Sequence, residues 1–228
     1  MVFSLSYRIR IEREIGVATP SPAVILPKHQ YWTDIPLMSI AIPESLYFVA
    51  KKELFLLPGV RTFLSLLGGI PLDRDRSIRT LKSFKEIFSL LDRAERVVLF
   101  PEGTYVRHAV GLGKSRLIEM ILEYQSRRPQ RIPFIPVGIR YGKRMGGRRE
   151  VRIRIGRPLF GNERTDAPSL TGRVMEEIGR LSGLPMIKGS SPSRRTVQKD
   201  DSSSAMQALN GQPEACSLDL AQEPSIYF

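Results

Sequence analysis

Cysteine occurs once in this chain, at Cys216. A lone thiol cannot close an internal disulfide, and it cannot supply a cysteine-rich zinc site. That usage suits a reducing compartment. No apolar run reaches the length of about 18 residues that a membrane-spanning helix needs. The first residues, Met1-Val2-Phe3-Ser4-Leu5-Ser6-Tyr7-Arg8, lack the long apolar core of a signal peptide. Aromatic residues make up only 8% of the chain, and they are not interleaved with its basic cluster as single-strand stacking requires. Neither a zinc-finger spacing nor an RNP-type signature is present.

Positive charge is abundant. The net charge is +12 over 228 residues. The stretch Ser190–Phe228 carries three basic residues (Arg194, Arg195, Lys199) and five acidic ones (Asp200, Asp201, Glu214, Asp219, Glu223), so it is −2 and residues 1–189 carry +14. A domain that basic attracts anionic lipid surfaces, phosphate-bearing substrates, acidic carrier proteins or nucleic acid. Hydrophobic content of 42% and this length suit one domain with a sizeable core. After Leu184-Pro185 the composition turns to Ser, Gln, Pro, Asp and Ala. Residues 1–188 therefore read as the domain and 189–228 as a disordered tail, with too few large apolar groups to offset ordering entropy.

Along the domain, Arg8–Arg13 alternates charged and apolar residues, the mark of a half-exposed strand. Ala23–Leu26, Leu46–Ala50, Arg96–Phe100 and Phe134–Ile139 read as buried strands. Val151, Ile153 and Ile155 alternate with arginines as a strand with one wet face. Helices are expected from Thr33 or Asp34 to about Ile42, over Lys51–Leu57 and Val60–Leu67, over Ser77–Leu91 with its i, i+3, i+4 apolar stripe, over Gly113–Tyr124 and over Leu170–Leu181. Strands alternating with helices of this length imply an α/β fold, a single-domain central mixed sheet flanked by helices.

Four segments stand out against that frame. His29-Gln30-Tyr31-Trp32-Thr33-Asp34 follows the first buried strand. Gly68-Gly69-Ile70-Pro71-Leu72-Asp73-Arg74 follows the second apolar helix. Phe100-Pro101-Glu102-Gly103-Thr104 ends the strand at 96–100, and Phe134-Ile135-Pro136-Val137-Gly138 is itself a strand. Ligands of open α/β sheets bind in the crevice outside the carboxyl ends of the strands, which is where the first and third segments fall. Five residues turn about 140° past a full helical turn, so His29 and Asp34 meet only across a loop or a helix start. Histidine titrates near neutrality and serves as a general base. A carboxylate on its other ring nitrogen fixes the tautomer and stabilises the imidazolium. The plainer alternative is a turn histidine beside an aspartate that caps a helix.

In order, spacing and residue type these four segments resemble the glycerolipid acyltransferase family, whose best-known members are the 1-acylglycerol-3-phosphate acyltransferases. The resemblance runs over roughly residues 8–185, and the His29 and Glu102 segments are its most specific parts. It implies transfer of a fatty acyl group from a thioester to a lysophospholipid hydroxyl, with phosphatidic acid as product. It implies His29 as the base, Asp34 as its orienter, and Arg74, Glu102, Gly103 and Thr104 on the acceptor side. Arg74 matches the arginine associated with the acceptor phosphate, a role its planar fork suits. No bound cofactor and no metal are expected. The co-substrate is an acyl-CoA or acyl carrier protein thioester, and the place of work is the cytoplasmic surface of an anionic membrane.

Two positions depart from the family pattern. Relatives often continue the Glu102 segment with arginine and serine, where this chain has Tyr105-Val106-Arg107; Arg107 is then a cation at a shifted position. Many relatives have asparagine before the histidine, where this chain has Lys28, a charge that lowers the histidine pKa if close. Lys51 and Lys52 suit donor or lipid phosphates and equally a solvated face. His108 has no acidic partner nearby in sequence and reads as loop surface. The apolar segments 54–57 and 60–67 fit an acyl groove, a membrane-surface contact or ordinary core. The basic run from Arg140 to Arg157 fits anionic headgroups. It is also the support for a rival reading, a basic binding module for membrane or nucleic acid without chemistry. A third reading keeps the reaction and changes the acceptor to another lipid or an amine.

Overall fold

The computed structural model describes residues 6–14, 16, 19–57, 59–72, 78–129, 131–161 and 166–187. The expected tail, with Cys216, and the Asp73-Arg74-Asp75 stretch lie outside them. The strands are β1 (Tyr7–Arg13), β2 (Ala23–Pro27), β3 (Leu46–Lys51), β4 (Gly69–Leu72), β5 (Arg96–Val98), β6 (Phe134–Met145) and β7 (Arg148–Ile155). The helices are α1 (Asp34–Ala41), α2 (Val60–Leu66), α3 (Ile78–Asp92), α4 (Arg116–Ser126) and α5 (Ala167–Ser182). All seven strands form one mixed sheet in the order β1-β7-β6-β2-β5-β3-β4. Neighbours are parallel except β6 and β7.

The central strands are apolar on both sides because both faces are covered. Ala23 and Ile25 of β2 enter the core on one face, with Leu37 and Met38 of α1 and Leu64 of α2. Val24 and Leu26 enter the other, with Ile87 of α3, Ile118 of α4 and Val174 of α5. Each buried aliphatic side chain of this kind contributes about 1.5–3 kcal/mol of transfer free energy. The longest helix, α5, is defined at both ends: the Asp166 carboxylate accepts from Ser169 N at 3.1 Å, and Gly183 closes it with φ 62°.

Three elements differ from the sequence reading. Lys52–Leu56 forms a 3-10 turn rather than an α-helix. Gly69–Leu72 is a strand, where the sequence reading placed no regular element. It lies at the sheet edge, where a proline costs no ladder hydrogen bond. And β6 runs on to Met145, where Gly146 and Gly147, at φ 58° and 80°, make the two-residue turn into β7. Lys143 and Arg144 hide that extension because this end of the hairpin is solvated.

The match of β6 to α5 is tight at Gly138, where an added Cβ would sit 2.4 Å from Leu181 C and Ser182 N. Both neighbours are backbone and neither can swing aside. Gly138→Ala is expected to cost about 3 kcal/mol in urea denaturation, at the upper end for overpacking. Unchanged stability would contradict this close approach.

Candidate active site

The parallel strands β2, β5, β3 and β4 all deliver their carboxyl ends to one edge of the sheet. His29 leaves β2 there and Glu102 follows β5. Both are fully or almost fully buried, and so are Lys28 and Asp34.

Asp34 organises the first loop. Its Oδ2 accepts from Gln30 N at 2.5 Å and Tyr31 N at 2.8 Å, and lies 3.1 Å from His29 Nδ1. Its Oδ1 accepts from the Tyr141 hydroxyl at 2.6 Å. Two backbone N–H groups and a phenol thus treat Asp34 purely as an acceptor. His29 Nδ1 must then donate, which in the neutral ring leaves the lone pair on Nε2. Burial, followed by the neighbouring Asp34, pushes the Tyr141 pKa far up, so the phenol stays a donor. Thr33 donates its hydroxyl to the Tyr141 oxygen at 2.8 Å and makes no side-chain cap on α1. The imidazole itself is gripped by rings: it stacks on Phe100 at 3.9 Å and 24°, and Tyr105 lies at 4.4 Å on a tilt.

Glu102 organises the junction between the loops. Its Oε2 accepts from Lys28 Nζ at 2.7 Å and His29 N at 3.0 Å; its Oε1 accepts from Lys28 Nζ at 2.9 Å and Gly111 N at 2.7 Å. Lys28 Nζ also donates to His29 O and Val106 O. Burial pulls the Lys28 pKa below its ordinary value, and Glu102 opposes that pull. The carboxylate expected on the acceptor side is therefore taken up inside the protein, where it ties the His29 loop to the 101–111 loop. Gly103 is buried at φ 66°, and a Cβ there would press on Lys114. Thr104 is half-buried beside it.

An apolar cavity opens at the same edge, lined by Ile35, Phe48, Val49, Ala50, Leu72, Leu99, Phe100 and Gly103. Phe100 is its shared wall with His29. Arg74 lies outside the described residues. Tyr141 lies 107 positions from Asp34 and carries no sequence signal that it joins the site. Lys28, a charge beside His29 in sequence, has Glu102 as its main partner. His108 is exposed, at φ 62°. Among the described residues no cluster of histidine, cysteine or carboxylate side chains could hold a metal.

A histidine–carboxylate pair backed by a buried second carboxylate, at the carboxyl edge of a mixed α/β sheet and beside an apolar cavity, is suited to moving a proton beside an apolar substrate. The chain belongs to the acyltransferase family, whose model, described as Acyltransferase, matches residues 8–140. It is 26% identical over 170 residues to the 1-acyl-sn-glycerol-3-phosphate acyltransferase of Bacillus subtilis (strain 168), covering 74% of this chain and 82% of that protein. It is 31% identical over 99 residues to the chloroplastic 1-acyl-sn-glycerol-3-phosphate acyltransferase LPAT1 of Arabidopsis thaliana. That match covers 43% of this chain and 28% of the plant protein. In fold it is similar to the crystal structure of the 1-acyl-sn-glycerophosphate acyltransferase PlsC from Thermotoga maritima. The TM-score is 0.58 at 23% identity, over 76% of this chain and 70% of that one.

Removing one member of a buried ion pair leaves the other charge uncompensated. Lys28→Met is therefore expected to cost about 3–5 kcal/mol, read as a fall in thermal transition temperature. A variant as stable as the parent would show that the pair does not hold these loops together.

Proposed function

We propose that this acyltransferase moves a fatty acyl group from a thioester to the free hydroxyl of 1-acylglycerol-3-phosphate, giving phosphatidic acid and a free thiol. The observation that carries the reading is the His29 Nδ1–Asp34 Oδ2 contact of 3.1 Å, with Asp34 held by three further donors. In this scheme His29 Nε2 takes the proton of the acceptor hydroxyl as its oxygen attacks the thioester carbonyl carbon. The tetrahedral adduct collapses, the carbon–sulfur bond breaks, and the imidazolium returns the proton to the departing thiolate. No serine nucleophile is required, because the acceptor supplies its own. Asp34 stabilises the imidazolium while it exists. Burial strengthens that attraction by lowering the local dielectric.

The cavity beside Phe100, about 30 Å³ in volume, is too small for a whole acyl chain and offers an apolar wall to its reacting end. Lys28 and Glu102 position His29 through its backbone rather than through the ring. Gly103 and Thr104 line the turn at the mouth, and Arg74 is assigned to the acceptor phosphate by its place in the motif order. The donor is an acyl-CoA or acyl carrier protein thioester. Work at the cytoplasmic face of an anionic membrane is supported by Leu56 and Leu66, exposed at 78% and 82%, and by the charge of the β6–β7 hairpin. Among the described residues no helix is long and apolar enough to cross a membrane.

The purified protein, given acyl-CoA or acyl carrier protein thioester and 1-acylglycerol-3-phosphate, is expected to release thiol and form phosphatidic acid by mass spectrometry. Thiol release without that product would overturn the choice of acceptor. His29→Gln keeps the side-chain bulk and is expected to lower kcat by about 10³-fold, within the range for a lost general base. Near-normal turnover in a folded variant would remove His29 from the chemistry. Asp34→Asn presents an amide to donors that need an acceptor, so both rate and stability should fall, checked by kcat alongside the thermal transition.

A further inference from the structure

Two arginines from distant parts of the chain face a single tyrosine of the histidine loop. The Arg107 guanidinium carbon lies 5.1 Å from the centre of the Tyr31 ring, and that of Arg149 lies 5.5 Å from it. Arg149 is also 5.1 Å from the Tyr141 ring, and the two tyrosines meet edge to face at 4.8 Å. Each ring belongs to a residue already bonded to Asp34: Tyr31 through its backbone N–H and Tyr141 through its hydroxyl. The platform under the two arginines is thus one side chain away from the carboxylate that orients His29.

Local structure keeps both cations there. Val106 N donates to His29 O at 3.0 Å, which pins the 105–107 segment against the histidine loop and brings Arg107 beside it. Arg149, at the start of β7, donates from Nε to Gly142 O across the hairpin. Arg107 is exposed and Arg149 half-buried. Among the described residues no carboxylate forms an ion pair with either, although Arg152 and Arg154 of the same strand both pair with Glu12. Two like charges gathered on one ring oppose each other. Cation–π attraction offsets part of that repulsion, and an anion bound between them offsets far more.

We propose that Arg107 and Arg149, set on the Tyr31 ring, hold the phosphate of the acceptor. The proposal rests on the acceptor being a phosphomonoester, as argued above. Such a group carries its charge only a few bonds from the hydroxyl that must reach His29, so its cradle has to border the histidine loop, as this pair does. Planar guanidinium forks match phosphate oxygens in pairs, which a lysine point charge does not. Arg149 lies beyond the 8–140 segment that the family model matches.

The test compares the full-length protein with Arg107→Ala, Arg149→Ala, the double alanine variant and the double lysine variant. The readouts are kcat/KM for 1-acylglycerol-3-phosphate, kcat/KM for monoacylglycerol with the same chain, and KM for acyl-CoA. Each single variant should lower the preference for the phosphorylated acceptor about tenfold, and the double about 100-fold, as expected for charge-assisted hydrogen bonds. The double lysine variant should recover part of it. An unchanged preference would overturn the proposal. So would a parallel loss on both acceptors, which would make the pair structural, or an effect confined to acyl-CoA, which would assign it to the donor's phosphates. A parent protein with no preference for the phosphorylated acceptor would overturn the reading of the acceptor itself, and this proposal with it.

Discussion

Four hydrogen bonds to the Glu102 carboxylate hold the site together. Two come from the Lys28 ammonium, one from His29 N and one from Gly111 N, and all are closed to water. Desolvating two charges is expensive, and a well-packed apolar pair of equal volume would often be at least as stable. What the ion pair does here is specify, together with the Val106 N to His29 O bond, one register between two loops. Because Glu102 accepts the backbone N–H of His29, the position of the imidazole depends on a carboxylate bonded to its backbone.

From that junction the rest follows outward. The sheet supplies the edge, since β2 and β5 are parallel neighbours and their carboxyl ends are adjacent. Asp34 then folds the 29–34 loop around its own carboxylate, which gathers the imidazole, two backbone donors and the Tyr141 phenol. Phe100 and Tyr105 restrict the ring on its faces. The apolar cavity shares Phe100 with the imidazole. Polar machinery and apolar space are thus joined across one phenylalanine.

Much of this was legible before the fold was known. The apolar runs at 23–26 and 134–139 marked central strands because strands covered on both faces leave no polar alternation. The spacing of His29 and Asp34 implied a loop between them, and a loop is what the structure has. Other features were hidden by distance along the chain. Lys28 and Glu102 are 74 positions apart, and nothing local to either announces the other. Tyr141 sits on a strand whose alternation dissolves into Lys143 and Arg144, so its inward hydroxyl left no mark. The strand at 69–72 is short and carries Pro71, which an edge position tolerates. Arg149 looked like one more member of a basic run until the hairpin carried it to Tyr31.

The most direct test of the central claim is nitrogen NMR of the His29 side chain in the intact protein. A neutral ring protonated on Nδ1, with Nε2 carrying the lone pair, is the expected state. Loss of that tautomer in Asp34→Asn should accompany it. A ring found protonated on Nε2 instead, in a folded and active protein, would contradict the role assigned to the Asp34 carboxylate and the mechanism built on it.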